Sequence, residues 1–179
     1  MSDKKIIAVV GMCGSGKSEA VKYFVDKGFK KVYFGDVVIN ELKKRGLEIN
    51  EVNERKVREE LRKEFGMGVM AIKSIALIKE YFKTSNVVIE SMYSWEEFKI
   101  IKDSFEDAFK VVAIYTSKKL RYERLGKREF RPLTVEEATS RDLSEIENLD
   151  KSGPIAYADF TLINDMSLEE LNNKLEKLF

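Results

Sequence analysis

Short apolar runs alternate with longer amphipathic stretches along the whole chain. The apolar runs predict strands at 5–10, 30–34, 86–90, 110–116 and 157–165. Apolar residues at helical spacing predict helices at 17–28, 36–45, 51–65, 69–82, 94–105, 134–149 and 167–179, and a further helix that begins within 117–130. Strands separated by helices indicate an α/β fold, in which a five-stranded parallel sheet carries helices on both faces.

A single domain over 1–179 accounts for this pattern, because 179 residues suffice for one core and no repeat or flexible linker divides the chain. Two long segments that connect predicted strands lie outside the predicted sheet. The first, 36–85, follows the second strand, and the other, 126–140, follows the fourth strand. We interpret both as insertions on the same domain. Thr134 and Glu137 have the spacing of a capping box, which predicts the start of the next helix.

The segment GMCGSGKS joins the first predicted strand to the first predicted helix. It matches the phosphate-loop pattern G-x-x-x-x-G-K-[S/T] in the strand-loop-helix context that this pattern requires. The loop consists of Gly11, Met12, Cys13, Gly14, Ser15, Gly16, Lys17 and Ser18. Its backbone N–H groups would face phosphate oxygens, Lys17 would reach the β- and γ-phosphates of ATP, and Ser18 would supply an oxygen ligand to Mg²⁺. The alternative is a glycine turn with an unrelated Lys-Ser pair.

Composition narrows the chemistry that this loop can support. The chain contains no His and one Cys, which excludes histidine bases, histidine-bound metals and an internal disulfide. Because no His is present to activate a thiol, we interpret Cys13 as a small loop residue. The 32 Lys and Arg residues balance 31 Asp and Glu residues, so no overall field favours a nucleic acid or a membrane. We expect a cytoplasmic protein whose partners are nucleotide ligands.

Residues after the second and third predicted strands are candidates for binding a phosphoryl acceptor. Glu90 ends a strand, where a carboxylate can hold hydrated Mg²⁺ or form a cap or an ion pair. Asp36 would orient an acceptor or cap the next helix, and Tyr93 would stack on a base or pack in the core. Arg58 and Arg62 share one face of a predicted helix, so they would bind the acceptor or form ion pairs on a solvated surface.

Arginines cluster in and beside the second insertion: Arg121, Arg124, Arg128, Arg131 and Arg141. Phosphoryl transfer spreads negative charge over the moving group, and planar guanidinium groups stabilise such charge through paired hydrogen bonds. A mobile segment that carries several guanidinium groups can close over the phosphates and exclude water. The cluster therefore predicts a lid, with an exposed charged loop as the alternative.

The segments GMCGSGKS, GDVV, ERLGKR, SRD and ADFTLIN resemble, in this order, an archaeal group of adenylate-kinase-related proteins that are also similar to dephospho-CoA kinases. The resemblance implies a P-loop NTPase three-layer sandwich of the nucleotide kinase type, with an acceptor-binding insertion at 36–85 and a lid at 126–140. It also implies ATP as phosphoryl donor, Mg²⁺ as cofactor, and a nucleotide or nucleotide-like acceptor such as AMP or dephospho-CoA.

The same resemblance implies roles for individual residues. Gly35 and Asp36 would open the acceptor site. Arg124 and Arg128 have the R-x-x-x-R spacing that contacts adenine and phosphate at the lid entry of nucleotide kinases. The catalytic residues would then be Lys17, Asp36, Arg124 and Arg128.

Two positions depart from the adenylate kinase pattern. The arginine that follows Gly-Asp by three positions in adenylate kinases is Ile39 here. The turn after Glu90 reads SMYS and contains no arginine. A nucleotide-binding regulatory protein, or a weak ATPase that uses no acceptor, is therefore a second hypothesis.

Overall fold

The computed structural model describes residues 4–178. The ends of the predicted domain, 1–3 and 179, lie outside the described residues, and so does the end of the predicted closing helix at 179. The strands are β1 Ile6–Val10, β2 Lys30–Tyr33, β3 Val87–Glu90, β4 Phe109–Tyr115 and β5 Phe160–Ile163. The α-helices are α1 Lys17–Asp26, α2 Asp36–Lys44, α3 Glu51–Phe65, α4 Val69–Phe82, α5 Trp95–Phe105, α6 Lys118–Gly126, α7 Val135–Glu147, α8 Ser152–Ala156 and α9 Leu168–Glu176. Within 4–178, no helix has the length and apolar character needed to cross a membrane.

All strands run parallel, in the spatial order β2-β3-β1-β4-β5. β1 takes the centre because its residues IIAVV are all apolar and can be buried on both faces. In the register of the sheet, Val9 pairs with Glu90 of β3, and Val10 pairs with Ala113 of β4. The predicted five-stranded parallel sheet with helices on both faces is confirmed, and its strands place their carboxyl ends at one common edge.

Alternate residues of β1 divide the core into two layers. Ile6 packs in the layer beneath α2, α3, α4 and α5, together with the fully buried Ile78. Ile7 packs in the opposite layer beneath α1 and α9, together with Phe24. Because both layers consist of buried apolar side chains in contact, the carboxyl ends of the central strands are held in fixed positions.

Two helices begin with a capping box. The Thr134 hydroxyl accepts a hydrogen bond from the Glu137 backbone N–H, and the Thr134 backbone N–H donates to the Glu137 carboxylate. This capping box confirms the predicted start of α7. Ser94 and Glu97 form the same arrangement at the start of α5, next to the carboxyl end of β3. The box at Ser94 fixes the direction in which α5 continues from the carboxyl edge of the sheet.

The carboxyl-terminal part of the chain differs from the predicted pattern. α8 was not predicted, because its residues SGPIA include Gly and Pro and have no amphipathic period. β5 is shorter than the predicted strand 157–165. Tyr157 is the C-cap of α8, and the Asp159 carboxylate accepts the Val111 N–H at 2.8 Å, so the strand begins only after these residues. The short helix matters for the site, because it begins directly after a buried lysine.

Candidate functional site

The phosphate loop lies at the carboxyl edge of the sheet, between β1 and α1. Gly16 directly precedes α1 with a φ of 98°, a left-handed conformation that glycine adopts without strain. A Cβ at this position would also collide with the side-chain nitrogen of Asn164. The Lys17 ammonium donates to the Met12 carbonyl at 2.9 Å, so this side chain folds back along the loop. The lysine therefore stands at the amino end of α1, where anions bind.

Residues that follow β4 and β5 hold the loop from behind. The Thr116 hydroxyl lies 3.0 Å from the Ser15 carbonyl oxygen, and the Asn164 amide nitrogen donates to the same oxygen at 2.8 Å. Both side chains are buried, so water does not compete for these hydrogen bonds. Sequence analysis missed both residues and included them in the predicted strands 110–116 and 157–165, whereas each directly follows the observed strand.

Two of the predicted lid arginines are bonded to the framework of the loop. Arg121 donates to the Cys13 carbonyl at 2.9 Å and forms a buried, two-pronged ion pair with Asp142, at 3.0 and 2.6 Å. Arg124 donates to the Asn164 carbonyl at 3.0 Å. Spacing along the chain could not indicate these partners, because they depend on how α6 packs against the loop. A direct contact of either arginine with phosphate stays a prediction.

A cavity of about 130 Å³ opens between the loop, the carboxyl end of β3 and α7. It is lined by Val9, Cys13, Gly14, Lys17, Ser18, Glu90, Ser91, Tyr93, Arg128 and Arg141. The structure thus brings together the loop lysine, both predicted metal-binding residues, the predicted acceptor tyrosine and two of the predicted lid arginines. These residues come from four separate segments, which meet only in the fold.

The electrostatics of the cavity favour an anion. Burial of the Lys17 ammonium, reinforced by the nearby positive charge of Lys151, lowers the pKa of Lys17 to about 7. Arg128 and Arg141 add positive charge to the lining, against the single carboxylate of Glu90. A phosphate group in the cavity would compensate this charge and favour the protonated form of Lys17.

Glu90 ends β3 and forms an ion pair with Lys31 at 3.2 Å. The predicted ion-pair alternative is therefore present, and the same carboxylate also lines the cavity together with Ser18. Within the described part of the chain, no group of three or more His, Cys, Asp or Glu residues could hold a metal ion. One hydroxyl and one carboxylate fit Mg²⁺, because this ion usually keeps several waters and takes its other ligands from substrate phosphates.

The turn after β3 forms another wall of the cavity. Ser91 has a φ of 68°, which is uncommon for a residue with a side chain and marks local backbone strain. Its hydroxyl lies 3.2 Å from the hydroxyl of Tyr93. Burial raises the pKa of Tyr93, and the Lys151 ammonium lies 4.4 Å from the centre of its ring. Tyr93 is thus packed on one side and lines the cavity on another.

Gly35 and Asp36 stand where β2 passes into α2. Gly35 occupies the N-cap, so the predicted capping alternative for Asp36 is wrong. The Tyr33 ring lies against Gly35, and a Cβ there would collide with it. Asp36 is exposed in the first turn of α2, and it is not among the residues that line the cavity. Its role in orienting an acceptor stays a prediction.

The arginines of α3 lie in different environments. Arg58 is 3.9 Å from Glu51, and Arg131 donates to the same carboxylate at 3.1 Å, so the two predicted insertions touch at this point. Arg62 instead has a buried Nε–H without a hydrogen-bond partner among residues 4–178, and burial lowers its pKa. A buried, unpartnered guanidinium nitrogen is available to an anion.

A buried ion pair beside the cavity was missed by sequence analysis. Glu145 of α7 binds the Lys151 ammonium at 2.5 Å and accepts the Arg141 Nε–H at 3.2 Å. The four-residue spacing of Arg141 and Glu145 was a usable signal for one of these contacts. Lys151 belongs to no motif and lies in an irregular turn, so the pattern along the chain gave no sign of its burial.

Solved structures share the fold. A protein from Thermus thermophilus superposes with a TM-score of 0.65 at 17% identity, over 98% of each chain. Shikimate kinase from Acinetobacter baumannii, in complex with shikimate, gives a TM-score of 0.58 at 16% identity, over 98% of this chain and 92% of the other. A sugar kinase from Janibacter gives 0.56 at 15% identity, over 97% and 93%. At these identities, the likeness shows a kinase-like P-loop fold and nothing about substrates.

Sequence relatives define the family. The family model described as an AAA domain matches residues 7–147. A UPF0200 protein of Thermococcus kodakarensis is 38% identical, over 97% of this chain and 95% of its own length. A UPF0200 protein of Sulfurisphaera tokodaii is 36% identical, over 99% of this chain and 97% of its own length. With this similarity over nearly its full length and a phosphate loop at the edge of a parallel sheet, the chain belongs to the UPF0200 family of P-loop proteins.

Proposed function

We propose that this protein is an ATP- and Mg²⁺-dependent phosphotransferase that acts on a nucleotide or nucleotide-like acceptor, such as AMP or dephospho-CoA. The observation that carries the proposal is the composition of one cavity. It combines Lys17 and Ser18 of the loop with Arg128 and Arg141, and with Tyr93 from the turn after β3. The loop is sufficient to bind ATP. Transfer of the phosphoryl group also needs cations around the terminal phosphate and a surface that binds the acceptor.

On the donor side, the backbone N–H groups of the loop and the amino end of α1 would bind the phosphates of ATP. Lys17 would contact the β- and γ-phosphates, and Arg128 and Arg141 would approach the γ-phosphoryl group from across the cavity. Ser18 and Glu90 would hold Mg²⁺, and a bound Mg²⁺ would neutralise part of the negative charge of the phosphates. The arginines would stabilise the charge that develops on the transferring group.

On the acceptor side, Tyr93 would stack on a base or ribose. The buried Nε–H of Arg62 has no hydrogen-bond partner among residues 4–178, so it would bind an anionic group of the acceptor. Arg58 would add a second cation if it left Glu51, since a separation of 3.9 Å indicates a weak ion pair. Asp36 would orient the acceptor from the start of α2.

The second insertion would act as a lid. Arg128 and Arg131 are exposed on the irregular segment between α6 and α7, so these side chains can move without disturbing the buried layers of the sheet. Closure would bring guanidinium groups over the phosphates and exclude water. Arg121 and Arg124 would support transfer from the base of the lid, where they already hold the loop and Asn164.

A nucleotide-binding regulatory protein, or a weak ATPase without an acceptor, is the second candidate. Ile39 and the arginine-free turn after Glu90 favour it, because both positions lack a cation for an acceptor phosphate. The ion pair between Glu90 and Lys31 at 3.2 Å also gives this carboxylate a partner other than a metal ion.

A coupled assay that offers ATP with AMP, CMP, GMP, UMP or dephospho-CoA separates these candidates. We expect one acceptor to accelerate ADP formation over ATP alone. Lys17→Met should lower that rate by about 100-fold or more, because it removes the positive charge that would contact the transferring phosphate. Lys22→Met, on the exposed side of α1, is the matched control and should not change the rate.

Two other outcomes would contradict a phosphotransferase. If ATP raises the unfolding temperature but no acceptor accelerates ADP formation, the regulatory candidate is favoured. If phosphate is released from ATP at a rate that no acceptor changes, the protein is an ATPase.

A further inference from the structure

Lys151 is a buried lysine outside every sequence motif. Its exposed fraction is 2%, a rare state for lysine unless its ammonium is paired. Asp150 turns the chain inward with a left-handed φ of 48°. The Lys151 backbone N–H then donates to the Glu145 carbonyl at 3.3 Å, which closes the turn between α7 and α8. The backbone of this turn thus directs the lysine side chain into the protein.

The buried ammonium contacts residues behind two walls of the cavity. Its Nζ lies 2.5 Å from Glu145 Oε2 and 4.4 Å from the centre of the Tyr93 ring. The other carboxylate oxygen, Glu145 Oε1, accepts the Arg141 Nε–H at 3.2 Å. Arg141 and Tyr93 line the cavity, whereas Lys151 and Glu145 are not part of the lining. One lysine therefore contacts the acceptor wall directly and the arginine wall through a shared carboxylate.

The charges of this group do not cancel. Lys151 and Arg141 share a single carboxylate, so the group keeps one positive charge in excess. Burial by itself would raise the pKa of Glu145, but the ion pairs with Lys151 and Arg141 lower it, so the carboxylate is ionised. Because Lys151 neutralises Glu145, Arg141 is held by its Nε–H while its charge stays available to an anion.

We propose that Lys151 is a positioning residue of the transfer site. Through Glu145 it fixes Arg141 at the phosphate end of the cavity, and through the Tyr93 ring it fixes the acceptor wall. This inference rests on the proposed phosphotransferase function, which gives Arg141 and Tyr93 their contacts with substrate. Lys151 touches no substrate itself.

The positional part is tested without nucleotide, by solvent exchange of the Arg141 Nε–H in nitrogen-15 NMR spectra. The resonance is assigned by its loss in Arg141→Lys. We expect exchange at least about tenfold faster in Lys151→Met, since Glu145 then loses the ammonium that holds its carboxylate in the position where it accepts the Arg141 Nε–H. Lys151→Arg should restore slow exchange. Lys110→Met, which breaks an ion pair with Asp159 of 3.5 Å outside the cavity lining, is the control and should leave exchange unchanged.

The functional part is tested by the affinities of the full-length protein for ATP and ADP. Lys151→Met and Arg141→Gln should each reduce the preference for ATP over ADP about tenfold, because Arg141 would meet the γ-phosphate. In the double variant, the loss should exceed that of Arg141→Gln by no more than about twofold, since Lys151 acts through Arg141. Additive losses, or unchanged Arg141 exchange in Lys151→Met, would overturn the inference.

Lys151→Met leaves Glu145 buried with one partner, which costs stability. If this variant does not fold, Lys151→Gln, which keeps an N–H donor for the buried carboxylate and leaves Glu145 intact, replaces it and should show the same fast Arg141 exchange; slow exchange in Lys151→Gln would overturn the inference. A wild-type protein that modifies no acceptor, but shows the predicted exchange and coupling, would refute phosphoryl transfer and support the positioning role.

Discussion

Lys17 is desolvated between the loop and the cavity, and the Lys151 ammonium adds repulsion, so its pKa falls from 10.5 to about 7. Between these two values the unfolded chain binds more protons at this residue than the folded protein does. The contribution of Lys17 to the free energy of unfolding therefore rises with pH across that window and is least favourable below pH 7. A bound triphosphate has the opposite preference, because it attracts the ammonium form.

This opposition predicts a pH dependence of nucleotide binding. Between about pH 8 and 9.5, ATP binding should take up a proton at Lys17, so affinity should fall by up to about tenfold per pH unit. Isothermal titration of ATP across this range measures the slope. Lys17→Arg is the control, since an arginine keeps its charge and should flatten the slope. Equal slopes for both proteins would contradict the assignment.

Glu97 is a second residue whose burial has a measurable consequence. Burial raises its pKa to about 7, although the Tyr93 and Ser94 N–H groups bond its carboxylate at 2.6 and 3.0 Å. With a raised pKa, the folded protein binds the proton more tightly than the unfolded chain. The resulting stability is fully present below pH 4.5 and is lost as the pH rises through 7.

Glu97→Gln keeps an acceptor for both N–H groups and removes the ionisation. We expect the variant to match the wild type at pH 4.5 and to unfold several degrees higher at pH 8. Thermal unfolding of both proteins at the two pH values tests this. A difference in unfolding temperature that does not depend on pH would contradict it.

Helices α6 and α7 are tied to the loop by a buried ion pair. Arg121 and Asp142 are 7% and 10% exposed in their side chains, and Arg121 also bonds the Cys13 carbonyl. Removing one member leaves the other charge buried without compensation, which is more damaging than removing both. The pair therefore couples the stability of these helices to the shape of the loop.

Arg121→Met should lower the free energy of unfolding by about 3–5 kcal/mol, because Asp142 stays buried without a cation and keeps only the Tyr122 hydroxyl as a donor. Combining it with Asp142→Leu should recover much of that loss. Urea denaturation measures both. Arg55→Met, which breaks the exposed pair with Glu59 on α3, is the comparison and should have little effect. A loss in the double variant as large as in Arg121→Met would contradict the role of the buried charge.

The elements differ in how far the sequence predicts them. β1, the loop and the capping box at Thr134 follow from local signals, because each needs only residues that are adjacent or one turn apart. The partners of Arg121 and the burial of Lys151 do not, since they depend on how α6, α7 and α8 pack against the loop. Asn164 lies between these cases: the predicted strand 157–165 places it near the carboxyl end of the last strand, but its bond to the Ser15 carbonyl needs the strand order.

Across the molecule, the two insertions contact each other through exposed side chains. Arg131 and Glu51 are 56% and 60% exposed and lie 3.1 Å apart. An exposed ion pair of this kind contributes little to stability, so it can break and reform as a lid moves. The segment between α6 and α7 is therefore the part of the protein that we expect to respond to ligands.

Limited trypsin digestion tests this response, because Lys127 and Arg128 are exposed on that segment and neither precedes a proline. A non-hydrolysable ATP analogue with Mg²⁺ should slow cleavage there by about tenfold, since closure lowers the population of the open form. Cleavage after Lys27, which follows the carboxyl end of α1, serves as the internal control. An unchanged rate at the lid with saturating analogue would contradict closure.

The central claim is that the cavity transfers the γ-phosphoryl group of ATP to an acceptor. Its most direct test is a single-turnover experiment with γ-labelled ATP, excess protein and a mixture of AMP, CMP, GMP, UMP and dephospho-CoA. We predict that label moves into an organic acceptor faster than it appears as inorganic phosphate, and that Lys17→Met abolishes this movement. Label found only in bound ATP and inorganic phosphate would contradict the proposed function.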